Sequence, residues 1–238
     1  QLLNLQMFES INIDFEKIDV SDSTLVDRQL DVFVKLTPAK KMSISVEATA
    51  TFREGFGANG QISLSNKNPF GGSEVFEFSI SGGFENLKSS TAEKRVIGAN
   101  VGPRLSIQFP SLLFFPNLSR SIAKNAFPKS TVSINYNFQK RLDFTRHLSN
   151  LYLKYAWNEG RYKKHELNVL DFSLSFIEKD SKILLDLSGL TASEKFRFED
   201  NLSVGLKYRF TFNNQHKPGV KHPMYFITQT SLIGASSL

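Results

Sequence analysis

Apolar and polar residues alternate with a period of two along most of this chain. Met42, Ile44, Val46, Ala48, Ala50 and Phe52 are apolar; Ser43, Ser45, Glu47, Thr49, Thr51 and Arg53 between them are polar. A helix would mix these two sets on every face, so the segment reads as a strand with one dry side and one wet side. The pattern recurs over 56–65, 76–81, 97–109, 132–139, 151–157, 170–176 and 202–212, with a fainter row over 225–232. The longest rows, over 42–53, 56–65, 97–109 and 202–212, run 10–13 residues, longer than the ~5–6 of soluble strands and long enough for a tilted strand to cross a bilayer. The wet sides carry Asn, Gln, Ser, Thr, Glu, Lys and Arg, which suits a water-filled interior. Aromatic residues gather near row ends (Phe52, Phe56, Phe109, Phe114, Phe115, Tyr155, Trp157, Phe210 and Phe212), where interfacial girdles would lie. Only a closed sheet pairs every backbone donor and acceptor in lipid. The predicted fold is therefore all-β, a transmembrane antiparallel β-barrel or part of one. A soluble β-sandwich or lipocalin-like cup gives the same alternation with its dry face turned inward. The length and number of the rows argue against it, because so many one-sided strands would need a second sheet to cover them.

The first 37 residues follow another pattern. Leu2, Leu3 and Leu5 suggest the end of a helix, and Phe8 to Phe15 and Leu30 to Leu36 suggest two strands around a charged, Ser/Asp-rich loop. This is the tail of a small α+β unit too short to bury a core alone. The chain then divides into 1–37, a linker over 38–41 and a barrel portion over 42–238. Asn66, Lys67, Asn68, Pro69, Phe70, Gly71 and Gly72 have the composition of a tight turn. Longer connections follow over 110–129, 180–200 and 213–223; the first two have room for short helices near 119–125 and 183–187.

Composition narrows the chemistry. Cysteine is absent from the 238 residues, which excludes disulfides, thiolate metal sites and cysteine nucleophiles. No apolar run approaches the ~18–20 residues of a transmembrane helix. Phenylalanine occurs 22 times against six tyrosines and one tryptophan, more than a small soluble core requires. The net charge is +6, but the cations are spread over loops and wet strand faces (Arg104, Lys154, Lys207, Arg209) rather than clustered in a stripe. A wet lumen or acidic lipid headgroups explain them more simply than nucleic acid. The four histidines (His147, His165, His216, His222) have no metal-ligand spacing, and no G-x-S-x-G or Walker motif is present, so neither enzyme activity nor a cofactor or metal is expected.

Two stretches carry a family resemblance. Leu2 to Ile13 followed by Leu30-Asp31-Val32-Phe33-Val34-Lys35-Leu36-Thr37-Pro38 resembles the end of a POTRA domain. Gly60-Gln61-Ile62-Ser63-Leu64-Ser65-Asn66-Lys67-Asn68-Pro69-Phe70-Gly71-Gly72-Ser73-Glu74 resembles the first hairpins of the barrel that follows it in the BamA/TamA superfamily, the bacterial surface antigens. Leu153 to Leu170 is similar to the TamA relatives of Bacteroidota, the TamL type. The resemblance runs over roughly residues 1 to 212 and implies a sixteen-stranded outer-membrane barrel, with about half present here as eight or nine strands. The family's V-R-G-F-type loop motif is not found, so no residue takes the role of its arginine, and the chain reads as a fragment.

The resemblance implies a Gram-negative outer-membrane protein, its POTRA portion in the periplasm, that assists insertion or translocation of other outer-membrane or surface proteins. Its partners would be outer-membrane lipid, client β-barrel or surface proteins, and a periplasmic TamB-like protein. The first barrel strand, with Ser45, Glu47, Thr49 and Thr51 on its wet side, would be a lateral gate where a client strand pairs by β-augmentation. Its small Ala48, Thr49 and Ala50 make weaker cross-strand pairs than the Phe-rich row from Val75 to Ile80. Asn66, Asn68, Pro69, Phe70, Gly71 and Gly72 form the family-like turn, and Glu47, Glu77, Arg104, Lys207 and Arg209 are candidate lumen charges. A passive porin-like channel, a two-partner-secretion translocator and a soluble ligand-binding barrel remain as alternatives.

Overall fold

The computed structural model describes residues 7–17, 30–52, 56–88, 95–115, 126–141, 144–179, 199–215, 219 and 222–237. Among these the fold is all-β. Strands β1 (Phe8–Lys17) and β2 (Leu30–Pro38) form a two-stranded antiparallel sheet. Strands β3 (Met42–Phe52), β4 (Phe56–Lys67), β5 (Val75–Lys88), β6 (Arg95–Phe109), β7 (Lys129–Lys140), β8 (Phe144–Glu159), β9 (Lys163–Lys179), β10 (Asn201–Asn213) and β11 (Tyr225–Ser237) form a second sheet. Its nine strands are antiparallel and lie side by side in chain order, with β3 and β11 at the edges. The expected helices near residues 2–5, 119–125 and 183–187, and Arg53 at the end of the first row, lie outside the described residues.

The two faces of the large sheet differ as the alternation predicts. Ile44, Val46, Ile62, Phe78, Ile80, Ile134, Val204 and Leu206 lie on the outer face and are exposed. Phe78 and Leu206 retain 39% and 41% of their surface, whereas Ser79 and Ser133 on the other face keep 5% and 1%. Small polar side chains are thus enclosed and large apolar ones turned out, the reverse of a soluble sandwich. A barrel wall has this distribution, with its small polar side chains on the lumen side and its apolar ones turned out.

Several strands run further than their hydrophobic rows. Strand β5 continues through Gly82 and Gly83, where the row has no side chain to show. Strand β6 runs through Pro103, which has no N–H to donate to β7; the β6–β7 ladder skips Gly102 and Pro103 and resumes in the same register at Arg104–Asn135. Along β6, Ala99 to Phe109 is ten residue steps. At about 3.3 Å per residue and the usual tilt of ~35–45°, that span stands about 25 Å high, the height of a membrane apolar band.

Aromatic clusters mark both ends of the sheet. At one end Phe56 lies 5.3 Å from Phe52 and 5.9 Å from Phe84. At the other, Trp157 stacks on His165 at 5.1 Å, with Phe210 5.2 Å from the same imidazole. Phe114 and Phe115 are not on a strand; they belong to the β6–β7 connection. Phe114 has φ +66°, a left-handed conformation that costs a non-glycine residue about 1–2 kcal/mol.

Candidate functional site: the first edge strand and the polar face

The candidate residues occupy three places on the large sheet. The first is edge strand β3. Ser45, Glu47, Thr49 and Thr51 share its polar face and pair with Ser63, Gln61, Asn59 and Gly57 of β4 without a register shift. On its other side β3 has no partner strand among the described residues, so one row of its backbone groups is open. The small residues of β3 face equally small ones: Ala48 lies opposite Gly60, and Ala50 opposite Ala58. Gly60 in turn faces Gly82 of β5. Side-chain pairing is therefore thin in the middle of the first two ladders, whereas Val46 with Ile62 and Leu64 with Phe78 pair larger apolar side chains nearer the β4–β5 turn. A shallow outer depression lined by Ala58, Gly60, Gly82, Gly83, Ala99 and Val101 follows from the same residues.

The second place is the β4–β5 turn. Asn66 belongs to β4 and pairs with Met42 and Phe76. The turn proper begins at Asn68, whose N–H donates to Glu74 O at 2.6 Å while its Oδ1 accepts from Ser73 N at 2.8 Å. Asn68 and Gly71 adopt φ +59° and +90°. Asparagine and glycine are the residues that enter this region most readily, which accounts for this turn chemistry in the sequence. Gly72 N donates to Glu74 Oε2 at 3.0 Å, and Phe70 is exposed at the tip. Ser73 Oγ donates to Met7 Sδ at 2.8 Å, and Ala39 N to Met7 O at 2.8 Å. The start of β1 therefore sits against this turn and the β2–β3 link.

The third place is a charged patch on the polar face of β8, β9 and β10. Glu166 accepts Lys164 at 3.1 Å, with Lys154 at 3.8 Å and Arg209 at 4.0 Å. Lys207 reaches Asp171 at 3.4 Å, and Arg209 donates through Nε and Nη2 to Gln229 Oε1 at 3.1 and 2.8 Å. A cleft of about 750 Å³ opens beside this patch, lined by Lys129, Lys154, Arg161, Lys164, Glu166 and neighbouring backbone. Of the candidate lumen charges, the structure brings Lys207 and Arg209 together here. Glu47, Glu77 and Arg104 lie on the same face but on β3, β5 and β6, and they join no ion pair among the described residues.

Glu166 and Lys164 escaped the sequence reading because of a β-bulge, whereas Asp171 falls on the polar side of the row over 170–176. Lys154 pairs with Asn168 but Leu153 with Leu170, so Val169 is an extra residue against β8; the β9–β10 ladder shifts at the same point. The bulge reverses the alternation. Leu170, Phe172 and Leu174 face out above it, and His165 and Leu167 face out below it. Glu166 and Asp171, five positions apart, therefore share the polar side. The adjacent apolar pair Val169-Leu170 is the signal of this in the sequence. At the β8–β9 hairpin, beyond the apolar band, hydrogen bonds from Lys163 and then His165 hold the Glu159 carboxyl below its ordinary range.

No family model and no curated protein matches the chain. Among solved structures, it is similar to CdiB from Acinetobacter baumannii at 11% identity and a TM-score of 0.32, over 99% of this chain and 46% of that one. The chain thus spans about half the length of CdiB, and a likeness this distant carries no functional weight.

Proposed function

We propose that this chain is part of an outer-membrane β-barrel of a Gram-negative bacterium, of the BamA/TamA kind, that helps protein segments enter or cross the membrane. One observation carries the membrane placement: the large apolar side chains are on the exposed face and the small polar ones on the enclosed face. In water such a surface is a liability, and in hydrocarbon it is the required one. The resemblance of 30–38 and 60–74 to the POTRA-to-barrel junction supports the superfamily and, with it, a periplasmic side at the end where β3 begins. On this reading β1 and β2 belong to a POTRA domain over 1–37. Client barrel or surface proteins would be the cargo, and a periplasmic TamB-like protein a further partner.

In this proposal β3 is the lateral gate. Its open backbone row can accept a client strand, and the thin side-chain pairing behind it makes the β3–β4 region the easiest to part. The chain has no cysteine, so single-cysteine variants are clean probes. Cysteines at Ser45 and Thr49 should crosslink client peptides more strongly than one at Ser203, which has a neighbour on both sides (Ser173 and Ala235). Equal yields at all three positions would remove the gate. Depleting the protein then separates the activities. Loss of other outer-membrane proteins marks an insertase, and loss of one dedicated secreted partner marks a two-partner-secretion translocator. Loss of neither, with ion conductance retained, marks a passive porin.

A further inference from the structure

We infer that the turn at Leu112 to Phe115 is a lipid-interface wedge, a separate membrane-contacting element clamped onto the outside of the barrel wall. This inference rests on the membrane reading above. The start of the β6–β7 connection, Ser111 to Phe115, lies against the outer face of β7 and β8. Ser130, in the same outward row as Ile134, is fully enclosed there. Its hydroxyl donates to Ser111 O at 2.7 Å and accepts from Leu113 N at 2.8 Å. Tyr155, beside it on β8, donates to Leu113 O at 2.9 Å and is itself buried. Leu112 is also buried, and the ring of Phe115 packs edge-on to Tyr155 at 6.2 Å.

The clamp holds the backbone at Ser111 and Leu113, and the result is that two adjacent phenylalanines stand outward. Phe114 is 78% exposed and Phe115 51%. The left-handed φ of Phe114 is not one an aromatic residue adopts unless the surroundings impose it. Their place identifies the occupant. They sit on the face that carries Val132, Ile134 and Leu153, at the end of the sheet marked by Trp157, His165 and Phe210. That level is where the acyl region meets the headgroups, and aromatic rings partition there.

The test is depth-dependent fluorescence quenching of the whole protein folded into phosphatidylethanolamine/phosphatidylglycerol vesicles. Trp157 is the only tryptophan, and Trp157→Phe keeps a ring against His165. In that background Phe114→Trp places a probe at the wedge tip, and Ile134→Trp places one in the middle of an outward row. Emission from Phe114→Trp should be blue-shifted, and quenched more by lipids brominated near the carbonyl end of the chain than by those brominated near its terminus. Adding Ser130→Ala and Tyr155→Phe to release the clamp should abolish that quenching and leave the Ile134→Trp signal unchanged. Quenching of Ile134→Trp without Phe114→Trp overturns the wedge, leaving a client protein or a second copy as its occupant, and keeps the membrane reading. Absence of quenching at both positions overturns the wedge and the membrane reading together.

Discussion

Gly83 of β5 stands opposite Asn59 of β4 and has no room for a side chain. A Cβ there would meet the Ala58 carbonyl oxygen at 2.6 Å, a backbone atom that cannot swing away. Gly60, one strand nearer the edge, has open space, with Glu47 O at 3.8 Å from its Cβ position. Gly83→Ala should therefore force β4 and β5 apart and destabilise the folded state by about 1–3 kcal/mol, the usual cost of overpacking. Gly60→Ala should be close to neutral. Urea-unfolding midpoints of the two variants in vesicles check this directly. Residue-scale features like these divide by whether they are local. The turn chemistry of Asn68 and Gly71 was legible because a positive φ selects its own residue types. The tight approach at Gly83 was not, because it depends on which strand lies alongside. Lys207 and Arg209 were legible as polar-face residues; that they gather with Glu166 and Asp171 was not.

At the scale of the element, β9 shows why an alternating row can be read correctly and still mislead. Its upper row, Leu170 to Phe176, is legible because period two holds there. Below Val169 the alternation inverts, and an unbroken reading would turn Glu166 out toward lipid. The inserted residue is what keeps Glu166 inside and His165 in the aromatic cluster. A single deletion then has opposite consequences at two nearby sites. Removing Val169 takes out the extra residue and leaves every other side chain of β9 on its present face, so the protein should still fold with a regular ladder. Removing Phe172, outside the bulge, shifts one flank by a residue and exchanges its two faces, placing Asp171 or its neighbours against hydrocarbon. The Val169 deletion should keep the heat-modifiable electrophoretic mobility of a folded barrel, and the Phe172 deletion should lose it. Equal behaviour would mean that β9 does not carry the bulge as described.

For the whole molecule the question is which medium meets the outer face, and adjacent residues of β7 can answer it. Ile134 is exposed on that face and Asn135 points to the enclosed one, midway along the strand. If the outer face meets water, Ile134→Arg replaces a wetted apolar side chain with a charged one. Stability would then be unchanged, and solubility would rise. If it meets hydrocarbon near the bilayer midplane, the same change should cost about 2–4 kcal/mol. Asn135→Arg places its charge beside Arg104 and Asn150 on the polar face, where water or counterions can reach it, so its cost should be small in either medium. The expected result is a large drop in vesicle-unfolding stability for Ile134→Arg alone. A loss confined to Asn135→Arg would place water outside and a dry core within, leaving the exposed Phe78 and Leu206 without a medium to explain them. The sequence pattern already distinguished the two faces of this sheet. It could not say which one is enclosed, because alternation is identical for a barrel wall and a sandwich layer; the burial of Ser79 and Ser133 makes that distinction, and the arginine pair turns it into a measured energy.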